Sequence, residues 1–308
     1  MKPLRVMSFN IHNSAMSEFL GRRDSISLLV RTAEPDVIGI QEFDDKMIPG
    51  LDFLYETYGF TGRARASSKS NERCCIAYRK DRFRLKRSVT LWLSDTPEVP
   101  GSRYFLSVFP RIVTIAVLED IDDHTVFTFA NTHLDHLLPM ARSRQIRVLS
   151  QLLKEYRQGE FLVLTGDFNC TAAEASVLSI LKDPVLCLRN PAPASPADLL
   201  NDLVHAASSR YRPIDLILVS DFLETRDFTS LTGLYAGKYP SDHTPVMVTL
   251  VPEEKEDPIP EAAEKTEELP KEEEAEVLFE AEYCDDDADD LSLSAPMAED
   301  AKFLEEEG

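Results

Sequence analysis

Apolar residues along positions 1–251 fall into two textures, short runs that end at Gly, Asn or Asp and longer stretches whose apolar positions recur every three or four residues. The first texture predicts strands over 4–11 and 36–40. The second predicts an amphipathic helix over 17–32, with Phe19, Ile26, Leu29 and Val30 on one side, and a further helix over 44–58. From residue 74 the pattern changes: 74–79, 83–93, 111–118 and 125–132 are strand-like with Pro and Gly between them, as in a mostly antiparallel sheet. A helix over 140–156 leads to a strand over 161–165. Four prolines mark 183–196 as a surface loop, and strands over 214–219 and 245–251 complete the pattern. No repeat of short period interrupts this α/β alternation.

The strand beginning Phe161-Leu162-Val163-Leu164 ends on Gly166-Asp167-Phe168-Asn169. Alternation along a strand puts Asp167 and Asn169 on one face and Phe168 on the other. Two oxygen-bearing groups at the exit of a core strand can position a water, a phosphate or a hard cation; they also suit a strand-to-helix turn, because Asp and Asn cap helices well. Other strands end in the same kind of residue. Asn10 and His12 follow the first, Gln41 and Glu42 the second, and Asn131, His133, Asp135 and His136 close the strand over 125–132. Asp215 opens one of the last strands, and Asp242-His243 precedes the final one. Each has an ordinary explanation: a satisfied turn for Asn10, a helix-start acid for Glu42, an ion pair with Arg212 for Asp215, a buried histidine for His243. Their joint occurrence at strand ends points instead to one shared cleft.

Composition changes the picture in one place. The net charge is −21, but residues 252–308 hold 24 Asp and Glu against four Lys, which leaves 30 acids and 29 bases in residues 1–251. The acidity therefore belongs to the tail, not to the core. EEKED, EKTEELPKEEEAE and DDDADD have the composition of a segment that does not fold by itself, with one short helix allowed over 272–283. The acidic run 285–290 reads either as a weak phosphate mimic near the cleft or as a repeller of polyanions, and the plainer alternative is a tail that only aids solubility or binds a partner. The expected organisation is a globular domain over 1–251 and a disordered tail over 252–308. Five cysteines, including the adjacent pair Cys74-Cys75, do not form a disulfide framework, and no signal peptide or membrane-length apolar run is present, so a cytoplasmic monomer is expected.

Taken in order, SFNIH, IGIQEF, NTHLDH, LTGDFN, RPIDLILVS and YPSDHTPV resemble the motifs of the endonuclease/exonuclease/phosphatase superfamily across residues 4–250. NERCCIAYRKDRF, TLWLSDTPEVPGS and FPRIVTIA are similar to a compact bacterial branch of it. The resemblance implies the deoxyribonuclease-I-like fold, a four-layer α/β sandwich of two mixed or antiparallel β-sheets flanked by helices. It implies a Mg²⁺-dependent phosphoesterase, with Mn²⁺ able to substitute, acting on a nucleic acid or a small phosphorylated molecule. Glu42 would hold the metal with Asn10 and Asp242. Asp167 would orient and deprotonate the attacking water, Asn169 would hold a phosphate oxygen, and His133 would donate to a phosphate oxygen or the leaving group. His243 would face the phosphoryl group, oriented by Asp215. The chain departs from the family pattern at Pro213, Ile115 and Cys74-Cys75, none of them expected at the metal site. Tyr58-Gly59-Phe60 with Arg63, Arg65 and Lys69 reads either as a basic loop for a phosphate backbone or as a solvated loop. The rival reading is a catalytically silent protein that binds a phosphorylated ligand and recruits partners through its tail; the intact set Glu42, Asp167, Asn169, Asp242 and His243 argues against it.

Overall fold

In the computed structural model, strand β1 (Leu4–Asn10) shows how the layers arise from alternation. Leu4 and Val6 face one way and pack with Val37, Ile76, Phe127 and Val163. Met7 and Phe9 face the other way and pack with Ile26, Leu29 and Val30 of helix α1 (Met16–Ala33). The structure describes residues 1–66, 72–192 and 213–251. The acidic tail, Lys69, Arg212 and the end of the 183–196 segment lie outside these residues.

The remaining elements are β2 (Val37–Phe43), a 3-10 turn (Asp45–Gly50), α2 (Asp52–Thr57), β3 (Tyr58–Thr61), β4 (Arg73–Arg79), β5 (Phe83–Trp92), β6 (Ile112–Asp120), β7 (Val126–His133), α3 (Pro139–Tyr156), β8 (Leu162–Asp167), α4 (Ala175–Leu181), β9 (Leu188–Arg189), β10 (Asp215–Ser220), β11 (Glu224–Ser230) and β12 (Val246–Val251). One sheet runs β11-β12-β1-β2-β4-β3 and the other β5-β6-β7-β8-β10-β9. Each has a single parallel pair, β1 with β2 and β7 with β8, joined by α1 and α3 respectively. All other pairs are antiparallel. The inner faces share one apolar core; α1 covers the outer face of the first sheet, and α3 and α4 cover that of the second. This is the four-layer sandwich that the motifs imply.

Three expectations need correction, and one strand is not expected at all. The helix over 44–58 is instead a 3-10 turn containing Pro49, then the short α2, because proline removes the donor a continuous helix needs. Tyr58-Gly59-Phe60 does not form a loop: it is edge strand β3, paired with β4. In the segment read as a surface loop, Leu186 and Leu188 are buried and residues 188–189 add a strand to β10. Strand β11, unmarked in the sequence pattern, pairs with β12 through a largely charged and exposed stretch, as suits a sheet edge.

A polar seam joins the two sheets beneath the strand ends. Gln41 Nε2 donates to Asn131 Oδ1 at 2.6 Å, and Asn131 Nδ2 donates to the carbonyls of Ile40 and Cys75 at 2.9 and 2.7 Å. Gly39 makes this approach possible: a Cβ there would lie 2.0 Å from Thr165 Oγ1 and 2.8 Å from Asn131 Oδ1. Gly39→Ala is therefore expected to destabilise the domain by about 1–3 kcal/mol, read as a lower urea midpoint; an unchanged midpoint would show that the seam is dispensable.

Candidate active site

The parallel pairs determine where the polar strand ends meet. In each pair both strands finish on the same edge, with Asn10 beside Gln41 and His133 beside Asp167. Strand β10 runs antiparallel to β8, so its first residue, Asp215, sits opposite the last, Asp167. The two edges are tied by Asn10, whose Nδ2 donates to Glu42 Oε1 at 3.1 Å and to Asp167 Oδ2 at 3.0 Å. Asn10 thus turns its amide nitrogen toward the carboxylates, while its Oδ1 accepts from the His12 N–H at 2.9 Å.

Three of the strand-end residues adopt the left-handed backbone region that non-glycine residues seldom occupy: Glu42 (φ 58°), His12 (φ 61°) and Asn169 (φ 53°). Such conformations persist where the surroundings hold them, often at functional sites. At Glu42 the turn coincides with a shift of register between β2 and β4, and Glu42 Oε2 accepts from the Asn13 N–H at 2.8 Å. At Asn169 the left-handed turn breaks the simple alternation argued from LTGDFN. Strand β8 stops at Asp167, Phe168 enters the core, and the Asn169 N–H folds back onto Asp167 Oδ1 at 2.9 Å. Asn169 Nδ2 also donates to the Leu134 carbonyl at 3.0 Å. The turn reading and the site reading of this stretch are thus compatible: the turn fixes the carboxylate.

Around Asp167 Oδ2 lie His133 Nε2 at 3.4 Å and His243 Nε2 at 3.8 Å. His243 Nδ1 meets Asp215 Oδ2 at 2.7 Å, the orienting contact the motifs imply. Burial disfavours ionisation of Asp167, and the Asp215 charge adds to it, so its pKa rises well above the ordinary carboxylate range. Burial raises Asp215 in the same direction. Burial alone would lower His243, but Asp215 and Asp167 outweigh it and lift its pKa to about 10. His133 goes the other way: burial, with Arg111 and Arg65 nearby, holds it neutral. The surroundings therefore favour the charged form of His243 and the neutral form of His133.

Asp242 is placed differently from the other acids. Its Oδ2 lies 2.9 Å from His12 Nδ1 and its Oδ1 accepts from Ser241 Oγ at 3.2 Å; burial opposes its charge, but the His12 contact holds its pKa at about 2. Among the described residues, two acid and histidine groups have ligand atoms within 4.8 Å of one another, Glu42 with His133 and Asp167, and Asp167 with Asp215 and His243. Asp242 is in neither.

A model of the Endonuclease/Exonuclease/phosphatase family matches residues 7–243. The chain belongs to this family. Its structure resembles an endonuclease/exonuclease/phosphatase family protein of Bacteroides thetaiotaomicron at 26% identity and TM-score 0.68, covering 82% of this chain and 98% of that one. A mannosyl-6-phosphatase of the same species is also 26% identical, with TM-score 0.67 over 80% of this chain and 99% of that one. An endonuclease/exonuclease/phosphatase protein of Bacteroides vulgatus shares the fold at 24% identity and TM-score 0.71, covering 82% of this chain and 100% of that one.

In this endonuclease/exonuclease/phosphatase family member the donor set fits a hard divalent cation. Glu42, Asp167 and Asp215 bring three carboxylates together at the strand ends, Asp167 and Asp215 buried, and Asp215 Oδ1 is buried with no hydrogen-bond partner among the described residues. Residues that the motifs did not single out hold this family member's site together. Arg22 of α1 donates to the carbonyls of Ile11, His12 and Pro240 at 2.9, 3.0 and 2.6 Å, clamping the loop after β1 to the one that carries Asp242 and His243. Ser241 Oγ donates to the Asn10 carbonyl at 2.7 Å and accepts from the His243 N–H at 3.1 Å. Nothing local in the sequence distinguishes Arg22 from its neighbour Arg23, because the contact that makes it a clamp, to the Pro240 carbonyl, comes from a loop more than two hundred residues away. Cys74 lines the same pocket as Glu42 but is not among the grouped ligand residues. Burial pushes its thiol far up, so it packs there as an uncharged group. Among the described residues no helix is long and apolar enough to cross a membrane.

Proposed function

We propose that this protein is a phosphoester hydrolase that cleaves a P–O bond by attack of water, in a catalytic domain over residues 1–251, with Mg²⁺ as cofactor and Mn²⁺ able to replace it. The observation that carries this reading is the arrangement at Asp167. A buried carboxylate of raised pKa, fixed by Asn10 and the Asn169 N–H, has a neutral histidine on one side and a cationic one on the other. Glu42, its carboxylate positioned by Asn10 Nδ2 and the Asn13 N–H, would hold the Mg²⁺, which when bound offsets phosphate charge and makes water more acidic; Asp242, paired with His12, lies outside the grouped ligand atoms. Asp167, whose raised pKa suits proton acceptance near neutrality, orients the attacking water and takes its proton. His243, kept charged by Asp215, faces the phosphoryl oxygens as negative charge builds. His133, uncharged, donates a hydrogen bond to a phosphate oxygen or the leaving group, and Asn169 steadies a second oxygen.

The sequence similarity to a mannosyl-6-phosphatase gives small sugar phosphates priority among substrates, ahead of oligonucleotides. The test is a panel of phosphate mono- and diesters with EDTA, Mg²⁺ or Mn²⁺. Hydrolysis is expected only with metal, and Glu42→Gln is expected to raise the Mg²⁺ concentration for half-maximal rate by roughly tenfold or more. Equal rates with and without EDTA would overturn the metal assignment, and no turnover on any ester would favour the silent binding protein.

A further inference from the structure

The cleft lined by Glu42 and His133 is also lined by Arg65, Arg73 and Arg111. Two of these guanidinium groups have anionic partners: Arg65 pairs with Glu72 at 2.8 Å and Arg73 with Asp45 at 2.6 Å. Among the described residues Arg111 has none at such distance. It is only 4% exposed, its Nη2 meets His136 Nδ1 at 3.0 Å, and its Nε and Nη1 are buried with no hydrogen-bond partner among the described residues. The histidine contact means that His136 accepts at Nδ1 and carries its proton on Nε2. The wall around Arg111 is stiff: the Arg65 guanidinium lies 4.9 Å over the Phe109 ring, which stacks 6.2 Å from His136.

A buried guanidinium with unmet N–H donors beside a second guanidinium is strongly unfavourable unless an anion supplies the acceptors. Lysine would place a point charge there. Arginine offers several donors on a plane, the geometry that suits a group with several oxygens such as phosphate. We propose that Arg111 is an anion-binding residue of this cleft and that the anion it takes is the phosphate group of the substrate. Naming the anion as substrate rests on the phosphoesterase reading; the binding of phosphate itself does not. Arg111 opens the apolar run that follows FPR in FPRIVTIA, and an arginine leading a core strand is the sequence signal for it. The competing role is purely electrostatic, since Arg111 also acts at a distance on Asp167 and Asp135. A distant countercharge would leave phosphate affinity unchanged when its hydrogen-bonding geometry is altered.

The decisive measurement is calorimetric titration of inorganic phosphate into the full chain in EDTA, for wild type, Arg111→Gln and Arg111→Lys. Wild type is expected to bind phosphate saturably. Arg111→Gln should bind it at least about tenfold more weakly, and Arg111→Lys with intermediate affinity. In the metal-loaded enzyme the KM for p-nitrophenyl phosphate should rise by a similar factor. No phosphate binding by wild type, or wild-type affinity in Arg111→Gln, overturns the proposal. If Arg111→Gln does not fold, Arg111→Lys decides: weaker binding supports it and unchanged binding overturns it. Arg111-dependent phosphate binding without turnover of any ester would sustain this inference and defeat the phosphoesterase reading.

Discussion

Asp167→Ala is expected to lower turnover by roughly 10² to 10⁴ with the fold intact, and Asp167→Asn to lose about as much, because each removes the group that accepts the proton from water. The carboxylate is 1% exposed and faces Asp215 across the β8 and β10 pairing, so burial and like charge both oppose its ionisation. Its removal relieves that repulsion but leaves the Asn169 N–H without its acceptor. These opposing effects leave the melting temperature close to that of wild type. Circular dichroism melts beside steady-state kinetics separate the two quantities. Near-normal turnover in either variant would move the base elsewhere; a collapsed melt with proportionate activity loss would make Asp167 a structural residue.

His243→Ala is expected to cost a similar factor in turnover, and its effect on stability should depend on pH in a definite direction. The folded pKa of His243, about 10, lies above the ordinary histidine value of 6.5 because Asp215 and Asp167 favour the charged form against burial. A group whose pKa is raised by folding contributes stability that is fully present below its unfolded pKa and lost as pH rises through the folded one. In metal-free protein the gap between wild type and His243→Ala should therefore be widest below about pH 6.5 and close steadily toward pH 10. Urea midpoints measured in EDTA across this range check it. A gap that widens with pH would mean that His243 is neutral in the folded protein.

Much of the architecture was legible locally. Apolar runs located β1, β2, β4 to β8, β10 and β12 within a few residues, and periodicity located α1 and α3, because side-chain alternation and helical pitch are properties of a short window. The candidate residues were legible for the same reason: Asn10, Glu42, His133, Asp167 and Asp215 each interrupt or border a run that would otherwise be core. The concentration of charge after residue 251 needed only counting. What the window does not contain is the partner. Strands β3 and β11 are short or charged, and they exist because β4 and β12 offer them an edge.

The sequence by itself thus determined most of the core strands and the two long helices, the separation of acidic tail from balanced core, and the side chains available for chemistry. Only the tertiary structure decided which of them meet. It brought Asn10 against Asp167 across 157 positions, moved Asp242 into a pair with His12, and split the two histidines into a cation beside Asp215 and a neutral group near Arg111. It also gave Arg22 and Arg111 their roles, one bonded through both terminal nitrogens to the carbonyls of two loops and the other left with two unpartnered donors among the described residues. The physical reason is common to all of these. A side chain's chemistry is local, but its burial, partners and charge state are set by neighbours that arrive only when the two sheets close on one another.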